Sequence, residues 1–442
     1  MSTLYKWGAG RDPDHPVITD AYDEYLVTED GEEIIDAAAG AAVVNLGHSP
    51  DGVDEVMAEQ ASRVGYTSTS YFTSPPVDSL SEKLAAMTPG SLNTTFLSNS
   101  GSEAVESAIK LARDYHVARG EPEREAVIGR WQGYHGATLG ALSASGNTGR
   151  RTTYKPYLQD WPKIGPAYPY RWEYSGSPEE QAKAAAGELE TLIKQEGPET
   201  VAAFIAEPVS GSSIPVAHPH PRYYQEVRRI CDEYGVLFIA DEVMVGFGRT
   251  GTMFASEHFD VVPDMLTLGK GMSAGFAPIS ATMIRDELLE PLEDAEHSFY
   301  HGHTFSGNPI ATAVADHVVD RYTPELLANA RARGEQLVDG LAPLRDSSIV
   351  GDIRQLGLMV GVEFVADPET GEAFDPDLGV YKQIFERAFE EGVYTYPGGG
   401  SVDGHRGDHL MLAPPLTLGE DVADEISRTV VNAVTDVERD LE

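Results

Sequence analysis

Five short stretches of this chain carry residues able to do chemistry together. Lys270 stands between two glycines at the end of the apolar run MLTLGKG (265–271). An amine at the end of a buried strand must reach water, find a partner or lose its charge. Burial lowers a lysine's pKa, and the neutral amine that results is the nucleophile of Schiff-base chemistry. Asp241 and Glu242 fall at the end of VLFIADEV (236–243), and Glu207 near the end of VAAFIAEPV (201–209). Carboxylates there can hold or move a proton. After TTFL (94–97), Ser98-Asn99-Ser100-Gly101-Ser102-Glu103 opens a helix. Hydroxyls and backbone N–H groups at a helix N-terminus suit an anion such as phosphate. After AVIGR (126–130) come Tyr134 and His135, a flat ring and an imidazole. Each has a plainer reading when taken alone: the serines cap a helix, the carboxylates are structural, Tyr134 packs, and His135 satisfies a backbone group.

For these residues to meet, the runs before them must be neighbouring strands. Short apolar runs alternate with helical patterns, one on Val105, Ala108, Ile109 and Ala112 closing near Gly120, another from about Arg222 to Tyr234 stopped by Gly235. That is the grammar of an α/β fold with parallel strands buried on both faces. Ligands in such folds collect outside the carboxyl ends of the strands, which is where all five stretches fall. After helices near 309–321 and 324–341, the runs MVGVEFV (359–365) and HLMLAPP (409–415), with a helix near 378–391 between them, predict a smaller α/β layer. Near the start, YLVTEDGEEIIDAA reads as two strands about an Asp30-Gly31 turn. The expected organisation is a large domain over 51–322 and a small domain built from 1–50 and 323–442.

Composition narrows the partners. The 442 residues include 71 acidic and 32 basic ones, nine of them lysine, for a net charge of -39 spread along the chain. That sign argues against nucleic acid and anionic membranes as partners. Such a charge repels itself in dilute buffer and is screened in molar salt, where the Debye length is about 3 Å, so a halophilic origin is expected. The single cysteine, Cys231, falls at apolar helical spacing and reads as core. With no signal peptide or membrane-length apolar run, the expected location is the cytoplasm.

One cofactor needs a lysine for its aldehyde, an acid for a pyridinium nitrogen, a phosphate seat and a flat side chain over its ring: pyridoxal 5'-phosphate. The stretches Ser98–Ala104, Tyr134-His135-Gly136, Ala206-Glu207-Pro208, Asp241-Glu242-Val243, Gly246–Gly251, Thr267–Gly271 and His303–Pro309 resemble, in order and spacing, those of the class III pyridoxal-phosphate aminotransferases. The resemblance covers essentially the whole chain. It implies a fold type I homodimer, or a tetramer of two such dimers, whose large domain carries a mostly parallel seven-stranded sheet and whose active sites are shared between subunits. It implies that Lys270 holds the cofactor and moves the substrate proton, while Asp241 pairs with the ring nitrogen. Ser100, Gly101 and Ser102 surround the phosphate, Tyr134 and Val243 cover the two ring faces, and His135 and Glu207 support the site. Thr304 reaches the phosphate of the neighbouring subunit's cofactor. No metal is expected.

Departures from the family point to a branch. Ornithine, acetylornithine and 4-aminobutyrate enzymes have E-P-x-x-G-E, whereas this chain has Glu207-Pro208-Val209-Ser210-Gly211-Ser212, and Ser212 cannot make an ion pair. They also carry Gln where this chain has Met244. The pattern looks more like the ω-aminotransferases that pass an amino group from an ω-amino acid or amine to a keto acid such as pyruvate. Other reactions on the same scaffold, an aminomutase or a decarboxylating aminotransferase, and a non-catalytic cofactor-binding module stand as alternatives. Arg406 has two readings, a movable arginine for the substrate carboxylate or a loop residue paired with Asp403 or Asp408. Ala42 falls where relatives have a bulky aromatic and leaves the substrate pocket roomier, unless Tyr66, Tyr71 or Phe72 closes it; these aromatics serve equally as dimer core. The G-x-G-x-x-G of 246–251 lacks the following helix that a dinucleotide loop needs, so Arg249 is expected to brace a loop. Gly398-Gly399-Gly400 reads as an active-site loop or a turn.

Overall fold

The computed structural model describes residues 15–442; the first 14 residues of the expected small domain lie outside the described residues. Its centre is a seven-stranded sheet of β4 (Thr94–Ser98), β5 (Ala126–Arg130), β6 (Lys163–Ile164), β7 (Val201–Ala206), β8 (Leu237–Asp241), β9 (Met265–Leu268) and β10 (Ser280–Ile284), in the order β4-β10-β9-β8-β7-β5-β6. From β9 to β6 neighbouring strands run parallel, and only β10 is antiparallel to its two neighbours.

Every residue of β7, β8 and β9 is buried, as their continuous apolar runs require. Side chains alternate between the faces. On one side Ala203, Ile205, Ile239 and Met265 pack against Val105, Ala108 and Leu111 of the helix Gly101–Ala118. On the other, Phe204, Phe238 and Ala240 meet the helices Pro178–Glu196 and Arg222–Tyr234, whose Cys231 is buried. With helices on both faces, only the strand ends can open to a ligand.

Two smaller sheets flank this body. β1 (Ile18–Tyr22), β2 (Tyr25–Thr28) and β3 (Glu33–Asp36) form a meander, and β3 also pairs in parallel with β13 (Val393–Tyr394). The second sheet, β11 (Val350–Leu356), β12 (Met359–Phe364), β15 (Asp408–Leu412) and β14 (Tyr396–Gly399), is antiparallel throughout. Gly398 and Gly399 are therefore strand residues opposite His409 and Asp408, not a loop or turn. A Cβ on Gly398 would collide with the His409 ring. Among the described residues no helix is long and apolar enough to cross a membrane.

Candidate active site

The carboxyl ends of β5, β7, β8 and β9 and the helix that follows β4 converge on a cavity of 220 Å³ whose lining includes Gly101, Ser102, Tyr134, Glu207, Asp241 and Lys270. Parallel pairing of β5, β7, β8 and β9 brings these residues to one rim although the chain separates them widely.

Lys270 follows β9 and Gly269 with φ 43°. A non-glycine residue in this left-handed region is uncommon and strained by about 1–3 kcal/mol. The surroundings hold it there: the Tyr322 hydroxyl donates to the Gly271 carbonyl, and Asn45 sits where a Cβ on Gly271 would be. Asp241, the last residue of β8, is 5% exposed. Its Oδ2 lies 2.7 Å from His135 Nδ1, and its Oδ1 accepts from Thr267 Oγ1 and the Val243 N–H, each at 3.1 Å. Three partners fix the carboxylate's orientation before any ligand arrives. His135 thus stands beside Asp241 rather than against a backbone group.

Glu242, one residue on, points away from the cavity. It is fully buried and accepts from the Ala255 N–H at 2.5 Å and from the Ser256 N–H and hydroxyl at 2.8 and 2.6 Å, and burial pushes its carboxyl up to about 7. Of the two adjacent acids, only Asp241 faces the cavity. The glycine loop that follows is structural: residues 255–259 form a 3-10 turn in place of a helix. Arg249, fully buried, donates to the Pro414 and Leu358 carbonyls at 2.5 and 3.3 Å and to Asn45 Oδ1 at 2.6 Å.

Gly101 and Ser102 begin the helix Gly101–Ala118 and line the cavity, whereas Ser100 is the N-cap, its hydroxyl accepting from the Glu103 N–H at 3.3 Å. A Cβ on Gly101 would lie 2.6 Å from Val243 Cγ1, so glycine keeps the backbone amides accessible beside Val243. Tyr134 is half-buried, with its N–H donating to Glu207 Oε2 at 3.3 Å. Burial raises the Glu207 carboxyl's pKa.

Other expected residues lie elsewhere. Ala42 is fully buried and absent from the lining, where Ala41 stands instead. The turn Ala39–Ala42 is irregular, with Ala39 and Ala42 at φ 45° and 53°, so it does not present successive residues with any regular period. Tyr66 and Thr304 line a separate cavity of 760 Å³ with Phe299, Tyr300 and His303. Arg406 is exposed and pairs with Asp403, Nε to Oδ2 at 2.8 Å, outside the lining. Sequence reasoning missed Arg150 and Tyr396, which complete the Lys270 cavity. The stretch GNTGRRTT offered only a turn and two adjacent cations, and Tyr396 belongs to a strand hidden by the glycines that follow it.

The aminotransferase class-III family matches residues 8–434. An uncharacterized aminotransferase of Bacillus subtilis is 36% identical over 430 residues, spanning 97% of this chain and 96% of that protein. A putrescine–pyruvate aminotransferase of Pseudomonas aeruginosa is 33% identical over 425 residues, spanning 93% of this chain and 88% of that one. The crystal structure of the omega transaminase from Pseudomonas jessenii in complex with PMP superposes with a TM-score of 0.90 at 33% identity, covering 96% of this chain and 93% of the other. With the family matched over nearly its whole length and a Lys–Asp–Tyr cavity at the strand ends, the chain belongs to the class-III aminotransferases.

Proposed function

We propose that the Lys270 cavity takes pyridoxal 5'-phosphate and moves an amino group from an ω-amino acid or simple amine to a keto acid such as pyruvate. The observation that carries this reading is the meeting of Lys270, Asp241, Tyr134 and the glycine-opened helix end in one cavity. Bound there, the cofactor supplies a carbonyl for amine exchange and a ring that withdraws electrons from the carbon losing its proton. Asp241, already oriented by His135 and Thr267, keeps a proton on the ring nitrogen. The amides of Gly101 and Ser102 seat the phosphate, with Ser100 capping the helix behind them. Tyr134 and Val243 flank the ring, Glu207 supports Tyr134, and the Lys270 amine takes the proton from the substrate carbon and returns it. The relative named for putrescine and pyruvate supports an amine donor and a keto-acid acceptor.

The test is a pair of half-reactions followed by absorbance. The cofactor-loaded protein given a carboxylate-free amine should convert to the pyridoxamine form and return when pyruvate is added. Conversion without return, with release of carbon dioxide or an isomerised product, would favour the alternative reactions, and no conversion across a donor panel would leave a non-catalytic module.

Assembly and setting belong to the same proposal. Tyr71, Tyr300, Phe72 and Phe305 are 84%, 91%, 66% and 60% exposed, and Tyr66 and Tyr300 border the 760 Å³ cavity that also holds Thr304. Exposed aromatics of this size suit an association surface, and on this reading a second copy set there carries Thr304 toward the partner's site. The small domain of 1–50 and 323–442 is supported by the pairing of β3 with β13. The charge of -39 supports a salt-rich cytoplasm. Sedimentation should give a dimer, or a pair of dimers, in molar potassium chloride and a loosened one at low ionic strength. A monomer in both, or indifference to salt, contradicts these readings.

A further inference from the structure

A keto acid brings a carboxylate next to the carbon that receives the amine, and burying that charge requires a cation. Among the described residues lining the cavity, Arg150 is the one lysine or arginine besides Lys270. Its guanidinium carbon lies 4.1 Å from the centroid of the Tyr134 ring. A guanidinium over an aromatic face is held there by cation–π attraction, and its planar fork of N–H donors matches a carboxylate as an ammonium does not.

The backbone beneath it is fixed. Asn147 caps the short helix Thr148–Arg151, its Oδ1 accepting the Arg150 N–H at 3.2 Å, while its Nδ2 donates to Ser213 Oγ at 2.9 Å. That bond ties the helix to the 207–213 wall, where Ser212 lines the cavity. Arg406, by contrast, lies outside the lining, in an exposed pair with Asp403. Asp403 accepts its Nε at 2.8 Å and its backbone N–H at 2.7 Å.

We propose that Arg150 is the specificity-determining residue that binds the carboxylate of the keto-acid acceptor, and that selectivity for that carboxylate depends on it more than on Arg406. The inference rests on the Lys270 cavity being the amine-exchange site. Substrates with a carboxylate beside the reacting carbon would engage the guanidinium, and amines lacking one would leave it over Tyr134.

The experiment compares the cofactor-loaded wild type with Arg150→Met, Arg150→Lys and Arg406→Ala. For each, kcat/KM is measured with pyruvate and with an aldehyde acceptor lacking a carboxylate, and propionate binding is measured by titration calorimetry. Arg150→Met should lower the pyruvate-to-aldehyde ratio about 30-fold or more, chiefly through KM, and weaken propionate comparably. Arg150→Lys should recover part of both, since it restores charge without the fork. Arg406→Ala should change the ratio less than Arg150→Met does. An unchanged ratio and propionate affinity in both Arg150 variants, or a larger loss in Arg406→Ala, overturns the proposal. If the wild type moves no amino group to pyruvate, the broader reading fails instead, and propionate binding still decides whether Arg150 holds carboxylates.

Discussion

Lys270→Ala is expected to lose turnover by at least about 10⁴-fold, since a single side chain supplies both the bond to the cofactor and the proton transfer, and positioned acid–base groups alone contribute 10²–10⁴-fold. The absorbance of the lysine-bound cofactor should vanish with it. The fold should persist, because alanine retains a Cβ at the same φ of 43° and the Gly271 carbonyl keeps its bond from Tyr322. Far-UV circular dichroism and sedimentation check that point, and a folded variant that still turns over would remove Lys270 from the mechanism.

Asp241→Asn should lower kcat by at least about 100-fold, as expected when a buried electrostatic partner of the developing charge is neutralised. The amide oxygen can still accept from His135 Nδ1, which lies 2.7 Å from the present carboxylate. Its NH2 group then meets Thr267 Oγ1, which can accept, and the Val243 N–H, which cannot. The stability cost should therefore be modest, about 1–3 kcal/mol for one frustrated buried donor, while the rate loss is large. A nearly normal rate, with the variant folded and loaded, would show that the ring nitrogen needs no charged partner here.

The parts of the site legible in the sequence were those set by local patterns. Continuous apolar runs located β7, β8 and β9 to within a few residues, and a strand in a parallel sheet delivers its last residue to the ligand rim. Asp241 and Lys270 could thus be placed from the sequence, as could the helix end at Gly101. What escaped depended on contacts between distant segments. β10, Ser280–Ile284, is SATMI, too short and too weakly patterned to declare itself before its partners β4 and β9 are in place. The glycines 398 and 399 carry every mark of a turn, yet β15 pairs with them; tertiary pairing overrode local propensity. Ala41 displaced Ala42 at the cavity because three residues of one turn have positive φ, a backbone shape that no periodicity encodes. Arg150 reached the cavity through Asn147 and Ser213, a contact between segments far apart in the chain.

The parallel pairing of β3 with β13 joins Ile35 to Val393 and Asp36 to Tyr394, and this has a consequence for biosynthesis. While the polypeptide leaves the ribosome, the central sheet has all seven of its strands by residue 284 and can begin to close, but the early meander must wait for the edge that completes it. Ala41 follows that meander within a few residues, so the substrate wall is among the last features to take shape. Such long-range closure is slow, and during the delay an apolar strand edge is open to wrong partners. A nascent chain stalled before residue 393 would therefore hold most of its catalytic groups in register and still lack a finished pocket.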